Sequence, residues 1–537
     1  MSGQPRPLSP FYPLVVALAL VAGLFIGRDM GGEQSPLVMF GVRQPSAADK
    51  IGQVLDLIDR QYVDSVEKNV LVDEVLQDIL QRLDPHSYYI TAEELRAAQE
   101  PLEGSFDGIG VEFAIQRDTV VVITTVEGGP SAALGIRAGD RLLSADGKAM
   151  AGVGITNDDV MRTLRGPKGS QVVVSIQRGK KAPFDVTIKR GKVPINSVAV
   201  SLLGDDGTGY IKLVRFAKNT HEEFLAAADE LRAKGMKRLV LDLRGNGGGY
   251  LTSAIDLADE FLPNGRTIVY TQGRNTPRQD ITATRKGRYE DMPLAVLIDE
   301  GSASASEIIA GAIQDHDRGT IIGRRSFGKG LVQEHVDLPD HSAVRLTTAR
   351  YYTPSGRSIQ RPYGQGIDYE EDIEARYIHG ELLSADSIRM DSSQVFTTTG
   401  GRKVYGGGGI MPDIFVPTDT TESSHYLTEL FFSGVLNQFA FDVADREREK
   451  LNGYGSAEAF AARYQVTDAL LRQLGELARK EGIEERPGDL ARSRRQLTTR
   501  IKAGIARNVW GNVGFYGIML GTDSVYLKAV EQFGPDA

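Results

Sequence analysis

The chain contains no cysteine. That absence excludes a disulfide framework, a thiolate metal site and a cysteine nucleophile. Positive charge is short as well: 62 Lys and Arg stand against 71 Asp and Glu, a net charge of −9. Neither nucleic acid nor an anionic membrane surface is therefore an expected partner. Histidine is sparse, and none of His86, His221, His316, His335, His341, His379 and His425 stands in an H-E-x-x-H or comparable spacing. A metalloenzyme is not expected, and no metal or other cofactor is called for. Long apolar runs are lacking except one. FYPLVVALALVAGLFIG, Phe11 to Gly27, carries no charge; as a helix it would be about 25 Å long, slightly short of the ~30 Å hydrocarbon core. It reads as the apolar part of a signal peptide or as an uncleaved anchor. No clean A-x-A site follows, which favours the anchor. Either reading puts the rest of the chain outside the cytoplasm, in the periplasm or cell envelope, with the anchor holding it at the inner membrane.

At 537 residues the chain is too long for one ordinary core, and several domains are expected. After residues 1–28 (anchor or signal), residues 29–103 read as a polar linker and a helical region. There Ile51, Val54, Leu55 and Ile58, then Val72, Val75, Leu76 and Ile79, fall at helical spacing, and LDPHSYYI (Leu83 to Ile90) stops the pattern at a proline. Residues 104–193 change texture to β-rich runs such as DTVVVITTV and SQVVVSIQR, glycine turns and one helix, NDDVMRTLRG. Residues 194–417 alternate strands (GYIKLVRF, KRLVLDLRG, PLAVLIDEG, TIIG) with helices (HEEFLAAADELRAKG, SASEIIAGAIQDHD). That alternation predicts an α/β domain with a largely buried sheet, so the fold class is α/β multidomain. Residues 418–537 are helical in pattern, and charge runs such as DREREK read as solvated helix faces.

GRRSFGKG, Gly323 to Gly330, is most of a phosphate-binding loop. It fails at Gly330, where the G-x-x-x-x-G-K-[ST] motif needs a hydroxyl for magnesium. It fails again in LVQEHVDLP, which reads as a strand where a helix N-terminus should receive the phosphate. Lys329 has another use: flanked by Phe327, Leu331 and glycines, it suits a desolvated site where the neutral amine can act as a base. Gln333, four residues on, is placed to orient that amine. Twenty-five residues before Lys329, EGSASASEIIAGAI carries a strand through small residues into a helix. Ser304 there reads in two ways: a capping box with Glu307, or a nucleophile near a helix N-terminus, where amides stabilise developing negative charge. LDLRGNGGGYL likewise reads as a tight strand-to-helix turn or as a source of oxyanion donors from Gly247 or Gly248. It is not a dinucleotide loop, because Tyr250 stands where the third glycine belongs.

In chain order stand DGIGVEF, GPSAALGIRAGDRLLSADG, DLRGNGGG, SASASE, FGKGLVQ, LTTARYYTPSGRSIQ and VYGGGGIMPD, with Lys329 25 residues after Ser304. Together they resemble the C-terminal processing, or tail-specific, proteases of the bacterial branch, over about residues 45 to 418. The resemblance implies a crotonase-like α/β serine protease core with an inserted PDZ-like β domain, N-terminal helices and a helical C-terminal extension outside the shared part. It implies Ser304 as nucleophile, Lys329 as general base and Gln333 as its positioner. Ala305 and a glycine of the turn, Gly247 or Gly248, would form the oxyanion hole. Amides of Gly108, Ile109, Gly110 and Val111 would bind the terminal carboxylate of a protein substrate whose tail adds as a strand. Arg165, in LRGPKG, would link peptide occupancy to the active state. An activating adaptor and a homo-oligomer through terminal helices are possible partners by the same resemblance. The rival class, a PDZ module on an inactive body, is disfavoured by the joint presence of Ser304, Lys329 and Gln333.

Overall fold

The computed structural model describes residues 15–22, 46–284, 286–364, 369, 371–389 and 393–534. Residues 15–22 of the apolar segment Phe11–Gly27 are helical. The rest of the expected anchor or signal, and the linker up to residue 45, lie outside the described residues. Among the described residues no helix is long and apolar enough to cross a membrane.

The chain divides into two units, residues 1–74 and 75–537. In the first, helix Ala47–Gln61 starts with a capping box in which Ser46 Oγ accepts from the Asp49 amide and the Asp49 carboxylate accepts from the Ser46 amide. Its Ile51, Val54 and Leu57 are exposed.

The body of the second unit is built on two sheets rather than on the one that the α/β alternation implies. The first runs in the order Val198–Leu203, Thr208–Leu213, Arg238–Asp242, Leu294–Ile298, Thr320–Gly323, Ile414–Phe415. Its first pair is antiparallel and the rest parallel. Arg238–Asp242 and Leu294–Ile298 are buried along their whole length, as continuous apolar strands in a two-sided parallel sheet are. The second sheet is antiparallel: Tyr88–Ile90, Ala343–Tyr352, Thr267–Gln272 and Gln279–Thr282 in order, with Leu331–Asp337 also paired to Ala343–Tyr352. TIVYTQ is thus a strand, but of this second sheet. Between the sheets' connections lies helix Ala305–Asp315, every residue of which is buried. Its small residues allow this: a methyl on Gly311 would come within 2.7 Å of Thr353 Cγ2.

The β-rich segment leaves and re-enters the body through a two-stranded neck, Ser105–Gly108 against Gly191–Pro194. Beyond it, Val111–Ile115, Val120–Thr125, Arg141–Ala145, Gln171–Gln177 and Phe184–Lys189 form one antiparallel sheet in that order. Helix Asn157–Leu164 packs Val160 and Leu164 into its core.

The C-terminal region is helical as expected, with helices from His425–Phe432 to Ser524–Gln532 and a core of its own around Phe439, Leu474 and Leu497. It is not a free appendage. The last helix lays Val525 and Ala529 against Val200, Tyr210, Val240 and Leu297 of the parallel sheet. Asp523 takes a two-pronged ion pair from Arg244 of the DLRGN turn, at 2.7 and 3.0 Å.

Candidate active site

Ser304 sits where strand Leu294–Ile298 has turned into helix Ala305–Asp315. Its φ of 55° and ψ of −112° are a conformation that L residues rarely adopt. Both sides of the residue are pinned. The Glu307 carboxylate accepts from its amide at 2.8 Å, and the Tyr351 hydroxyl lies 3.1 Å from its carbonyl. Strain held this way keeps the serine at the helix N-terminus, next to first-turn amides and the positive end of the helix dipole.

Glu307 does more than cap. Fully buried, its two oxygens accept from Ser326 Oγ (2.6 Å), the Gly328 amide (2.7 Å), the Lys329 amide (2.9 Å) and the Ser304 amide (2.8 Å). One carboxylate therefore joins the serine turn to the lysine loop. Burial pushes its carboxyl up to about 7, against these four donors. Tyr351 makes a second tie, its hydroxyl 2.5 Å from the Lys329 carbonyl as well as near Ser304. The S-x-x-E spacing predicts only the cap; the lysine-side contacts depend on tertiary packing.

Lys329 leads into strand Leu331–Asp337, the strand that stands where a phosphate loop would need a helix. Its Nζ donates to Gln333 Oε1 at 3.2 Å. Burial, reinforced by Arg345, pushes the ammonium below its ordinary range, while Glu307 and Asp84 pull the other way. Gln333 Nε2 in turn donates to the His86 carbonyl. Burial and the Lys329 charge push the His86 imidazole down to about 4, and its Nε2 lies 2.9 Å from the Tyr369 hydroxyl. Gly330 packs against the chain: a methyl there would lie 3.0 Å from the Gln360 amide nitrogen. The residue that rules out a phosphate loop is small because the backbone passes close.

Ser304, Lys329, Gln333, Gly247, Gly248 and Tyr351 all line one cavity of about 510 Å³. Leu102, Leu251, Ile308 and Leu331 supply apolar wall. The turn after strand Arg238–Asp242 approaches the serine closely. Gly248, at φ 99°, could carry no side chain, since a methyl would stand 2.8 Å from Ser304 Cβ and 3.0 Å from the Ala305 nitrogen. Its amide, however, donates to Asn246 Oδ1 at 2.9 Å. Of the two glycines read as oxyanion donors, Gly248 is thus engaged in an Asx-type turn, and Gly247 and Ala305 are the amides without a partner among the described residues.

The other predicted residues lie in the β domain. The Ile109 carbonyl is held by the Ser131 amide (2.9 Å) and Oγ (2.6 Å), and the Gly110 carbonyl by the Val126 amide (3.0 Å). These two carbonyls of the Gly108–Val111 loop are so turned into the domain, and Val111–Ile115 that follows is an edge strand of its sheet. Arg165 ends helix Asn157–Leu164 at the neck. It pairs with Glu100 of helix Ala92–Glu103 at 2.7 Å and stacks 4.5 Å above Phe106.

Profiles of known families fall on the same segments. Peptidase family S41 matches residues 207–374, the PDZ domain residues 108–189, and a family of unknown function residues 426–511. The carboxy-terminal-processing protease of Bartonella bacilliformis is 38% identical over 354 residues, 64% of this chain and 79% of that one. Carboxy-terminal processing protease CtpB of Bacillus subtilis is 35% identical over 321 residues, 59% of this chain and 66% of its own. Among solved structures, a photosystem II D1 C-terminal processing protease is 28% identical with a TM-score of 0.35, over 69% of this chain and 92% of its own. An S41 core carrying an inserted PDZ domain, at this identity over most of a relative's length, makes the chain a serine-type member of the carboxy-terminal processing proteases.

Proposed function

We propose that this protein is an endopeptidase that cuts protein substrates near their C-termini, with Ser304 as nucleophile and Lys329 as general base. One observation carries the reading: a half-buried lysine amine, held by Gln333, faces the same cavity as a serine locked at a buried helix N-terminus. Neutral Lys329 Nζ takes the Ser304 proton as Oγ bonds to the substrate carbonyl carbon. The carbonyl electron pair moves onto oxygen, where the Ala305 and Gly247 amides stabilise it. Collapse breaks the C–N bond, and the Lys329 ammonium protonates the departing amine. Water, giving a proton to Lys329, then attacks the acyl ester; the second collapse breaks the C–Oγ bond and Lys329 returns the proton to Ser304. No step calls on a metal or a nucleotide.

The PDZ domain recruits the tail in this reading. The Gly108–Val111 loop receives the terminal carboxylate, and the chain adds to the open edge of Val111–Ile115. Arg165, joined to Glu100 on the body, is the contact through which an occupied groove reaches the protease. The substrates are envelope proteins, since Phe11–Gly27 carries the chain to or across the inner membrane. The exposed apolar face of Ala47–Gln61 supports association with another copy.

The test is cleavage of an unstructured substrate. Ser304→Ala and Lys329→Ala each lower kcat by at least the ~10²–10⁴-fold that proton transfer contributes, and amidating the substrate C-terminus raises KM. Undiminished cleavage by Lys329→Ala sinks the lysine assignment; equal KM for free and amidated tails sinks the carboxylate loop.

A further inference from the structure

Gln333 has two ends, and both are used. Its Oε1 accepts from Lys329 Nζ and its Nε2 donates to the His86 carbonyl. A carbonyl can only accept, so the His86 contact decides which end of the amide faces it and leaves the oxygen for the lysine. The orientation matters chemically. A neutral amine has one lone pair; it can face Ser304 only if the N–H groups are aimed at acceptors elsewhere, and Gln333 Oε1 is such an acceptor.

The His86 carbonyl is itself placed by a neighbour. Asp84, 8% exposed, takes four donors: the His86 amide (2.8 Å), the Ser87 amide (2.8 Å) and Thr347 Oγ1 (3.1 Å) on one oxygen, and Ser87 Oγ (2.6 Å) on the other. Ser87 Oγ accepts from the Thr347 amide at 3.0 Å. Thr347 is the cross-strand partner of Gln333. The loop 84–87 is therefore tied to the residue directly opposite the glutamine it touches, and one buried carboxylate makes the tie. A buried acid whose donors all belong to one tight loop and its dock has a shaping task, and the loop reaches the lysine's partner through the His86 carbonyl.

We propose that Asp84 is a positioning residue for the lysine base: it shapes loop 84–87 so that the His86 carbonyl fixes the Gln333 amide with its oxygen toward Lys329. This rests on the Ser304–Lys329 reading above. Asp84 touches no reacting atom; its positioning role acts through Gln333, while its charge pulls the Lys329 ammonium upward directly.

The full-length chain is assayed on an unstructured substrate as wild type, Asp84→Ala, Gln333→Ala, the double variant and Lys329→Ala. Asp84→Ala is expected to lower kcat by about 10-fold or more, within the range that general-base catalysis supplies, with KM little changed. In the Gln333→Ala background, Asp84→Ala is expected to cost nothing further, because the path through the amide is already gone. An equal fold-loss in both backgrounds overturns the proposal, as does unchanged kcat in the folded single variant. If Asp84→Ala does not fold, Ser87→Ala takes its place in the same cycle. It removes two of the loop's bonds with a smaller change in volume, and the same two results support or overturn the proposal. Lys329→Ala separates the two readings. Activity retained there removes the lysine base altogether, whereas loss there with an additive cycle removes only the role of Asp84.

Discussion

Glu307 is the residue on which the site's geometry most depends. Its four donors come from the Ser304 turn and the Lys329 loop, so the carboxylate bridges two segments that lie well apart in the chain. Glu307→Gln places an NH₂ group against donors that now point at an acceptor. Leaving buried donors unpaired costs about 1–3 kcal/mol each, so a lower melting midpoint and a kcat loss out of proportion to it are expected in thermal unfolding and steady-state assays. An unchanged kcat would show that Ser304 and Lys329 hold their places without the bridge. The sequence singles out Ser304, Lys329 and Gln333 through the ordered set of motifs they stand in, since a serine at a strand-to-helix turn alone reads equally as a helix cap. Glu307 is legible only as a cap, since S-x-x-E caps ordinary helices too. Asp84 is illegible as a partner of that site. Its link runs through the His86 carbonyl to Gln333, with loop 84–87 docked on Thr347 opposite Gln333, all remote in sequence, for which no local pattern exists.

At the scale of elements, the loop before strand Leu331–Asp337 shows how a motif and its near-miss differ. Gly330 lies so close to Gln360 that Gly330→Ser, which would complete a phosphate-loop signature, has to push the Gln360 backbone aside. Overpacking of this kind typically costs about 1–3 kcal/mol. The variant is expected to lose stability and activity and to show no nucleotide binding by calorimetry; nucleotide binding would contradict the view that a strand cannot supply what a helix N-terminus does. The parallel strands and the buried helix are readable from continuous apolar runs and small-residue spacing. The division of the body into two sheets is not. Strands such as Thr267–Gln272 and Leu331–Asp337 carry the same local signal whichever sheet they join, and the choice is made by pairing at a distance.

For the whole molecule, the PDZ domain is held by more than its neck. Arg117 pairs with Asp442 at 2.5 Å, Arg141 with Asp445 at 2.8 Å and Glu112 with Arg507 at 3.1 Å, all joining the domain to the C-terminal helices. Glu112 lies on the edge strand next to the Gly108–Val111 loop, so the helical region touches the strand to which a tail adds in the proposed reading. These pairs are part-exposed and worth at most about 1 kcal/mol each. Arg141→Asp is expected to speed hydrogen exchange at this contact, and adding Asp445→Arg to restore protection. Failure of the swap to rescue would mean that the charges do not pair in solution. The charge runs of residues 418–537 look in the sequence like solvated faces; Asp445 of DREREK instead faces another domain, a distinction that a sequence pattern does not carry.

The most direct measurement is kcat/KM against pH for an unstructured substrate bearing a free C-terminus. In the proposed mechanism Lys329 serves only when neutral, and burial lowers its pKa. Activity should therefore rise with pH through an ionisation below the ordinary lysine range that is absent in Lys329→Ala, and stay high into alkaline conditions. A rise centred near 6.5, the value of an unperturbed imidazole, that persists in Lys329→Ala would contradict a lysine base.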